Sequence, residues 1–239
     1  HPEALEYLRA DLDMRYGADA YTEAIAKAKD AISIPVIASV NCYTSKWWMD
    51  YAKKIQEAGA DALEMNIFIM PDDFTKSAAD IEDMYIDILK AVNAQISIPV
   101  ALKLSPFFTS FGNFAARLER AGANGFVLFN RFVQPDIDIS SLQTKITPSF
   151  NDPVGFGRSL GWIGLLSGEL DVDLVASGGI RDSFSAIKQL LAGAVAVQVA
   201  SALYSPKGLG AIQELLNGLQ EWMEDKNFAA LDEFRGHLN

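Results

Sequence analysis

Short apolar runs alternate with segments of helical periodicity along most of this chain. The apolar runs are rich in β-branched residues and predict six buried strands, at 34–40, 62–68, 99–104, 125–130, 173–177 and 196–200. Helical spacing predicts two helices within 1–31 and others at 44–58, 109–121, 157–168, 182–191 and 206–237. A long polar segment, 131–156, follows the fourth run. This order of elements is typical of an α/β protein whose parallel sheet is covered by helices.

The strongest helical pattern follows the second apolar run. Its apolar residues recur on one face, namely Ile81, Met84, Tyr85, Ile88, Leu89 and Val92. Ser77 precedes this run and Asp80 stands three residues later, which is the spacing of a capping box. The sequence therefore predicts a helix that begins just after Ser77.

Short sequence motifs repeat where helices lead into strands, in addition to the repeated pattern of apolar residues. ISIPVIAS at 32–39 recurs as ISIPVALK at 96–103, and the tripeptide AGA leads into a strand at 58–60, 121–123 and 192–194. A glycine that closes a helix in this way predicts a left-handed cap. Six such units favour either a doubly wound sheet or a (β/α)8 barrel. The segment after Val40 lacks the glycine-rich phosphate loop of a doubly wound sheet, so we expect a barrel, although six units are two short of a closed one.

Polar side chains stand where the predicted strands end. Lys103 interrupts the apolar stretch PVALKLSP, and a buried ammonium group is costly unless an anion, a ligand or solvent meets it. Asparagines close three other strands, at Asn41, Asn66 and Asn130. Asparagine is also a common turn residue, but the carboxyl ends of barrel strands meet at one rim, and four polar ends favour a shared pocket.

Two later strand ends carry the features of a phosphate site. Gly178 and Gly179 lie in SGGI, which leads through Arg181 and Asp182 into a helix, and Ser201 lies in VASA at the next strand end. The amides at a helix N-terminus are unpaired, and glycine lets an oxyanion approach closely. A tight turn is the simpler explanation of the glycine pair alone, whereas the two strand ends together predict a phosphate ligand.

Composition and charge narrow the class of partner. The net charge of −11 without basic clusters argues against nucleic acid and anionic membranes, so we expect a small-molecule substrate. The single cysteine, Cys42, excludes an internal disulfide and a zinc site of several thiolates, and we predict no metal. No uninterrupted apolar stretch reaches about 18 residues. The default expectation is a cytoplasmic protein.

The order of these strand ends resembles the dihydroorotate dehydrogenase family, and in particular its bacterial dihydroorotate dehydrogenase-like branch. The matching segments are SVN at 39–41, EMN at 64–66, LKL at 102–104, FN at 129–130, SGG at 177–179 and AS at 200–201. The resemblance implies a single FMN-type TIM-barrel domain over 1–239. It also implies that the six strands are barrel strands 3–8 and that the first two would precede His1.

The resemblance further implies an FMN cofactor, a homodimer and a role in pyrimidine biosynthesis. Lys103 would stabilise negative charge at the pyrimidine edge of the flavin. Asn41 and Asn66 would bind flavin or substrate, and Asn130 the polar edge of the substrate. Lys103, Asn66 and Asn130 are thus the expected catalytic residues. The phosphate would be held by the residues at the last two strand ends, Gly178, Gly179, Ala200 and Ser201.

The chain departs from this family at the catalytic base. The family's Cys or Ser falls on Ile69, which cannot accept a proton, and Arg131 replaces a small hydroxyl residue. Weak substitutes for the base are Asp72, Asp73, Ser45 and Cys42. Three functions therefore stay open: an FMN-dependent dehydrogenase acting on a CH–CH bond, a flavin-binding barrel with another substrate or no catalysis, and a flavin-free lyase or isomerase that uses Lys103 as a Schiff base.

Overall fold

The computed structural model of the protein describes residues 19–41, 45–130, 135–146 and 153–238. Its strands are β1 (Ile37–Val40), β2 (Ala62–Asn66), β3 (Val100–Leu104), β4 (Gly125–Leu128), β5 (Pro135–Asp138), β6 (Gln143–Ile146), β7 (Asp173–Ser177) and β8 (Ala196–Gln198). Its helices are α1 (19–31), α2 (Ser45–Glu57), α3 (Ala78–Asn93), α4 (Phe111–Arg120), α5 (Pro153–Leu166), α6 (Ser183–Leu191) and α7 (Gly210–Lys226), with 3-10 turns at Ser201–Tyr204 and Leu231–Glu233.

The six predicted strands are confirmed, each in place and some shorter than expected. The three AGA glycines all have positive φ, between 90° and 109°, as the predicted helix caps require. The capping box that opens α3 is also confirmed, because Asp80 N–H donates to Ser77 Oγ and Ser77 N–H donates to an Asp80 carboxylate oxygen. The first of the two helices expected within 1–31 lies outside the described residues.

Two segments differ from expectation. The polar stretch 131–156 contains an antiparallel hairpin, β5–β6, and α5 begins at Pro153 rather than 157, since proline is well suited to the first turn of a helix. The sequence predicts helices that fill 206–237, but the one α-helix described there, α7, ends at Lys226, because Asn227 adopts a left-handed conformation with φ 61°. Turns and a short 3-10 element follow it.

The main sheet is parallel, and its strands pair in the order β1-β2-β3-β4-β7-β8, with the hairpin forming a separate sheet. Apart from the inserted hairpin, spatial order follows chain order. A doubly wound sheet reverses its order at a switch point, whereas a barrel does not. The α/β topology is consistent with part of a (β/α)8 barrel, and the two further strands before His1 stay a prediction.

The chain divides into two compact units, so the single domain over 1–239 also stays a prediction. The first unit comprises His1–Leu102 and Arg120–Asn124. Its strands β1 and β2 pair from Ile37↔Ala62 to Val40↔Met65, and α2 packs against α3 and β2. The fully buried side chains of its core include Ile55, Leu63, Met65, Leu89 and Val92.

Polar contacts tie α1 to the strands of this unit. Tyr21 Oη donates to Ser39 O and accepts from Ser39 N–H, both at 3.0 Å. Burial raises the pKa of Tyr21 above its ordinary value, and the nearby Glu64 carboxylate adds to this. Lys29 Nζ forms an ion pair with Asp61 at 2.7 Å, and Val36 N–H donates to the same carboxylate. These contacts fix α1 against the start of β1 and β2.

The second unit comprises Lys103–Glu119 and Gly125–Asn239. Phe111 on α4 packs edge-on against Phe129 and Trp162, with ring centroids 5.1 and 4.9 Å apart. Ser159 on α5 is fully buried and its Oγ donates to Leu128 O at 2.6 Å. These contacts hold α4 and α5 against β4.

A second cluster in this unit supports the ends of β7 and β8. Ile180, Ala186 and Leu215 are buried together, with Phe156, Val197 and Val199 packed against them. Helices α6 and α7 approach closely at Gly218, where an added Cβ would lie 2.4 Å from Ser183 Oγ. The turn between β7 and α6 therefore rests on a well-packed base.

Candidate functional site

The carboxyl ends of β3, β4, β7 and β8 lie at one level in the second unit. Asn130 N–H donates to Leu104 O at 2.8 Å, and Phe129 N–H donates to Ser177 O at 3.2 Å. Ser177 is in turn the register partner of Gln198. These links align the strand ends at or after which the sequence-predicted residues stand, namely Lys103, Asn130, Gly178, Gly179, Ala200 and Ser201.

Lys103 is the central cation of this edge, and its surroundings differ from expectation. Val100, Leu102 and Leu104 are buried, whereas Ala101 and Lys103 on the opposite face of β3 are only partly buried. An apolar enclosure of the ammonium group is thus wrong, because side chains alternate across a strand. Lys103 Nζ donates to Gln198 Oε1 at 2.9 Å, so a side-chain amide oxygen stabilises its charge.

Sequence reasoning missed Gln198. The signal was present, since Gln198 is a lone amide in the apolar strand VAVQVA, the same anomaly that singled out Lys103. Its carbonyl oxygen accepts from the lysine and fixes the direction of the ammonium group. Gln198 is therefore a positioning residue for Lys103.

The glycine pair after β7 forms a turn that only glycine adopts easily. Gly178 has φ 93° and Gly179 has φ 77°. A Cβ at Gly178 would meet no atom within 4 Å, whereas one at Gly179 would lie 2.9 Å from Phe156 Cβ. The backbone of Gly178 thus borders open space, while Gly179 packs against α5.

The start of α6 corrects the expectation of unpaired amides. Asp182 is the N-cap, and its carboxylate accepts from Ser185 N–H at 2.8 Å. Ser185 Oγ accepts from the N–H groups of Arg181 and Asp182 at 3.0 and 3.2 Å. The capping box therefore uses amides that sequence reasoning assigned to a phosphate, and an anion bound here needs other donors.

A pocket of about 380 Å³ lies beside this turn, among the residues that follow β7 and β8. Its lining includes the predicted phosphate ligand Ser201 and the side chains of Arg181, Tyr204, Ser205 and Lys207. Its volume falls within the roughly 300–1,000 Å³ of small-molecule clefts. The pocket can accept an anion, since its lining offers two cations and three hydroxyl groups.

Asn41 and Asn66 belong to the first unit. Asn66 is the last residue of β2 and Asn41 directly follows β1, and both are partly buried. Two residues before them, the register partners Ser39 and Glu64 are in contact, because Ser39 Oγ donates to the buried carboxylate of Glu64 at 2.7 Å. The nearness of these asparagines to Lys103 stays a prediction.

The structure describes part of the region where a base was sought. Ile69 is partly buried, and its N–H donates to Tyr85 Oη at 3.2 Å. Burial raises the pKa of Tyr85 to about 12. Asp72 and Asp73 are exposed, and hydrogen bonds from Thr75 lower the pKa of Asp73, which makes it a weaker base. Cys42, Arg131 and the side chain of Ser45 lie outside the described residues.

The chain is similar to a group of archaeal enzymes over most of its length. It is 28% identical to the catalytic subunit of dihydroorotate dehydrogenase B (NAD(+)) from Thermoplasma acidophilum, over 92% of this chain and 73% of that protein. The corresponding subunits of Methanocaldococcus jannaschii and Pyrococcus furiosus are also 28% identical, over 92% and 87% of this chain and 73% and 70% of theirs. The family model described as dihydroorotate dehydrogenase matches residues 14–223. The chain therefore belongs to the dihydroorotate dehydrogenase family, which confirms the resemblance drawn from its strand ends.

Proposed function

We propose that the protein is an FMN-dependent dehydrogenase that oxidises the CH–CH bond of dihydroorotate, or of a closely related compound, in pyrimidine biosynthesis. Membership of this flavin-dependent family supports an oxidoreductase acting on CH–CH groups over a flavin-free lyase or isomerase. The observation that carries the proposal is the edge of the second unit, where Lys103 lies at the end of β3 and Asn130 and the glycine pair follow the aligned ends of β4 and β7.

The residues at this edge suit a flavin mononucleotide. The open space beside Gly178 admits an oxyanion close to the backbone, and the adjoining pocket carries two cations. Gly178, Gly179, Ala200 and Ser201 would hold the phosphate end. Lys103, with its ammonium group directed by Gln198, would face the ring system, which becomes more anionic on reduction.

Each polar residue has a defined part in the proposed reaction. The flavin, when bound, would accept the hydride, and the proton from the other carbon would pass to one of the substitute bases, Asp72, Asp73, Ser45 or Cys42. Lys103 provides a fixed positive charge where negative charge develops, and no reorganisation is needed because Gln198 already orients it. Asn130 orients the polar edge of the substrate, and Asn41 and Asn66 donate or accept hydrogen bonds to flavin or substrate.

We also propose a homodimer, which light scattering of the purified protein will test.

A second function is favoured by one residue. Ile69 has no group that can take a proton, and Asp73 is made less basic by Thr75. A flavin-binding barrel that acts on another substrate, or is not catalytic, is consistent with this site. Its residues for binding flavin would be the same, so only the substrate reaction separates the two functions.

Two measurements on the full chain test the proposal in sequence. The purified protein should show the visible absorption bands of a flavin, and acid extraction should release FMN. Anaerobic addition of dihydroorotate should then bleach these bands as the flavin is reduced. A colourless protein that does not take up added FMN contradicts flavin binding, whereas a yellow protein that dihydroorotate fails to reduce supports the second function.

A further inference from the structure

The pocket beside the β7–α6 turn has an unusual balance of charge for so acidic a protein. Two of its lining side chains, Arg181 and Lys207, are cations, and none of its lining residues is a carboxylate. Hydroxyl groups of Ser201, Tyr204 and Ser205 complete its polar surface. A concave site with two positive charges and several hydroxyl donors is suited to a phosphate dianion.

The two cations are available to different degrees. Within the part of the chain that the structure describes, no carboxylate pairs with the Arg181 guanidinium. Lys207 forms an ion pair with Glu214, but the two side chains are 61% and 60% exposed, so the pair is well hydrated and contributes little stability. A phosphate in the pocket can therefore recruit Lys207 with little cost to the fold.

The cap of α6 reduces the number of backbone N–H groups that can bind an anion near the pocket. Ser185 and Asp182 already occupy the N–H groups of Arg181, Asp182 and Ser185. The Asp182 carboxylate also opposes an anion placed at the helix start. A phosphate bound beside the glycine turn therefore gains from cationic side chains, and Arg181 and Lys207 are the cations that line the pocket.

We propose that Arg181 and Lys207 bind the 5′-phosphate of FMN and set the selectivity of this chain for FMN over riboflavin. This inference rests on the proposed flavin function. Arg181 offers two parallel N–H donors to the phosphate, and Lys207 adds a mobile point charge from the other lining segment. Ser201, which begins the 3-10 turn after β8, lines the same pocket as this pair.

The test compares the binding of FMN and riboflavin, which differ only in the phosphate. Flavin-free full-length protein is titrated with each, and flavin fluorescence is followed for the wild type, Arg181→Gln and Lys207→Gln. We expect each variant to lose about tenfold or more in affinity for FMN, the value of one charge-assisted hydrogen bond, and to bind riboflavin as the wild type does. Arg181→Lys should recover part of the loss.

Two control variants sharpen the test. Lys188→Gln removes an exposed cation of α6 outside the pocket and should leave both affinities unchanged. Glu214→Gln frees Lys207 from its partner and should leave FMN affinity equal or raise it. The wild-type affinity for FMN should fall as salt is added, and this dependence should weaken in Arg181→Gln. Circular dichroism confirms that each variant is folded.

The outcomes separate this inference from the function on which it rests. Equal losses for FMN and riboflavin, or no loss in either Arg181→Gln or Lys207→Gln, overturn the phosphate role of the two cations while flavin binding stands. A wild-type protein that binds neither flavin overturns both. Displacement of FMN but not of riboflavin by inorganic phosphate supports a pocket for the phosphate group itself.

Discussion

Lys103 Nζ lies 2.9 Å from Gln198 Oε1, although these residues belong to β3 and β8, which are three steps apart in the order of the sheet. At about 4.8 Å per step, a flat sheet would separate the two strands by roughly 14 Å. Lysine and glutamine side chains that project perpendicular to such a sheet could not form a hydrogen bond. The sheet of the second unit therefore curves towards the face that carries Lys103, as the wall of a barrel does.

Removal of the Lys103 ammonium group should greatly slow the reaction and should change the free energy of unfolding little. We expect Lys103→Ala to slow the reduction of the bound flavin by dihydroorotate about 10²- to 10³-fold, because a preorganised charge is lost where negative charge develops. Anaerobic stopped-flow absorbance measures this rate. Lys53→Ala, at an exposed position of α2, is the matched control and should react at the wild-type rate. Equal rates in both variants would exclude Lys103 from the chemistry.

Loss of the amide that orients this lysine should have a smaller effect. Gln198→Leu keeps the approximate size of the side chain but removes the acceptor at 2.9 Å, so the direction of the Lys103 ammonium group is less constrained. We expect a fall in the rate of flavin reduction of at least about tenfold, since a hydrogen bond to a charged group is worth about 1.5–3 kcal/mol. Gln198→Glu restores an acceptor and should recover more of the rate than Gln198→Leu, which a purely structural role would not predict.

The two glycines of the β7–α6 turn should respond differently to substitution. Both need positive φ, so alanine at either costs roughly 1–2 kcal/mol of unfolding free energy. Gly179→Ala also meets Phe156 Cβ at 2.9 Å and should lose a further ~1–3 kcal/mol. Urea denaturation should therefore rank Gly179→Ala below Gly178→Ala in stability. Gly178→Ala should instead lose more affinity for FMN, and the reverse ranking would contradict the assignment of Gly178 to the ligand side.

The ion pair in the first unit should make stability depend on acidity. Hydrogen bonds from Lys29 and then from Val36 N–H lower the pKa of Asp61 below its ordinary value of about 3.9. A lowered pKa in the folded state stabilises the fold above that ordinary value, and the contribution is lost as the pH falls through the folded-state pKa. Thermal unfolding at neutral and acidic pH should show a smaller difference for Asp61→Asn than for the wild type.

The cap of α3 gives a local test of stability. Ser77→Ala removes the acceptor for Asp80 N–H and should cost about 1 kcal/mol in urea denaturation. Hydrogen bonds from Ser77 also lower the pKa of Asp80, so its pKa should rise in this variant when followed by NMR. Ser77→Thr retains the hydroxyl group and serves as the control.

Local features were predictable from the sequence, and long-range ones were not. The period of the apolar residues located the strands, and Ser77 with Asp80 located a helix start, because these signals act over a few residues. The hairpin was missed although Ile137 and Ile139 alternate with Asp136 and Asp138, since the surrounding polar residues indicated a loop. The contact between Lys103 and Gln198 joins residues 95 positions apart and depends on the curvature of the sheet, which no local pattern encodes.

The hydroxyl group of Tyr21 affects which strands can pair with the side of β1 that faces away from β2. Among the strands that the structure describes, β1 pairs with β2 alone, so its other side can accept a further strand. The Tyr21 hydroxyl group accepts from the N–H of Ser39 and donates to its C=O, and so occupies the backbone groups that a neighbouring strand would bind there. A strand that pairs with this side of β1, whether from another molecule or from the two further strands predicted before His1, must first displace the Tyr21 hydroxyl group.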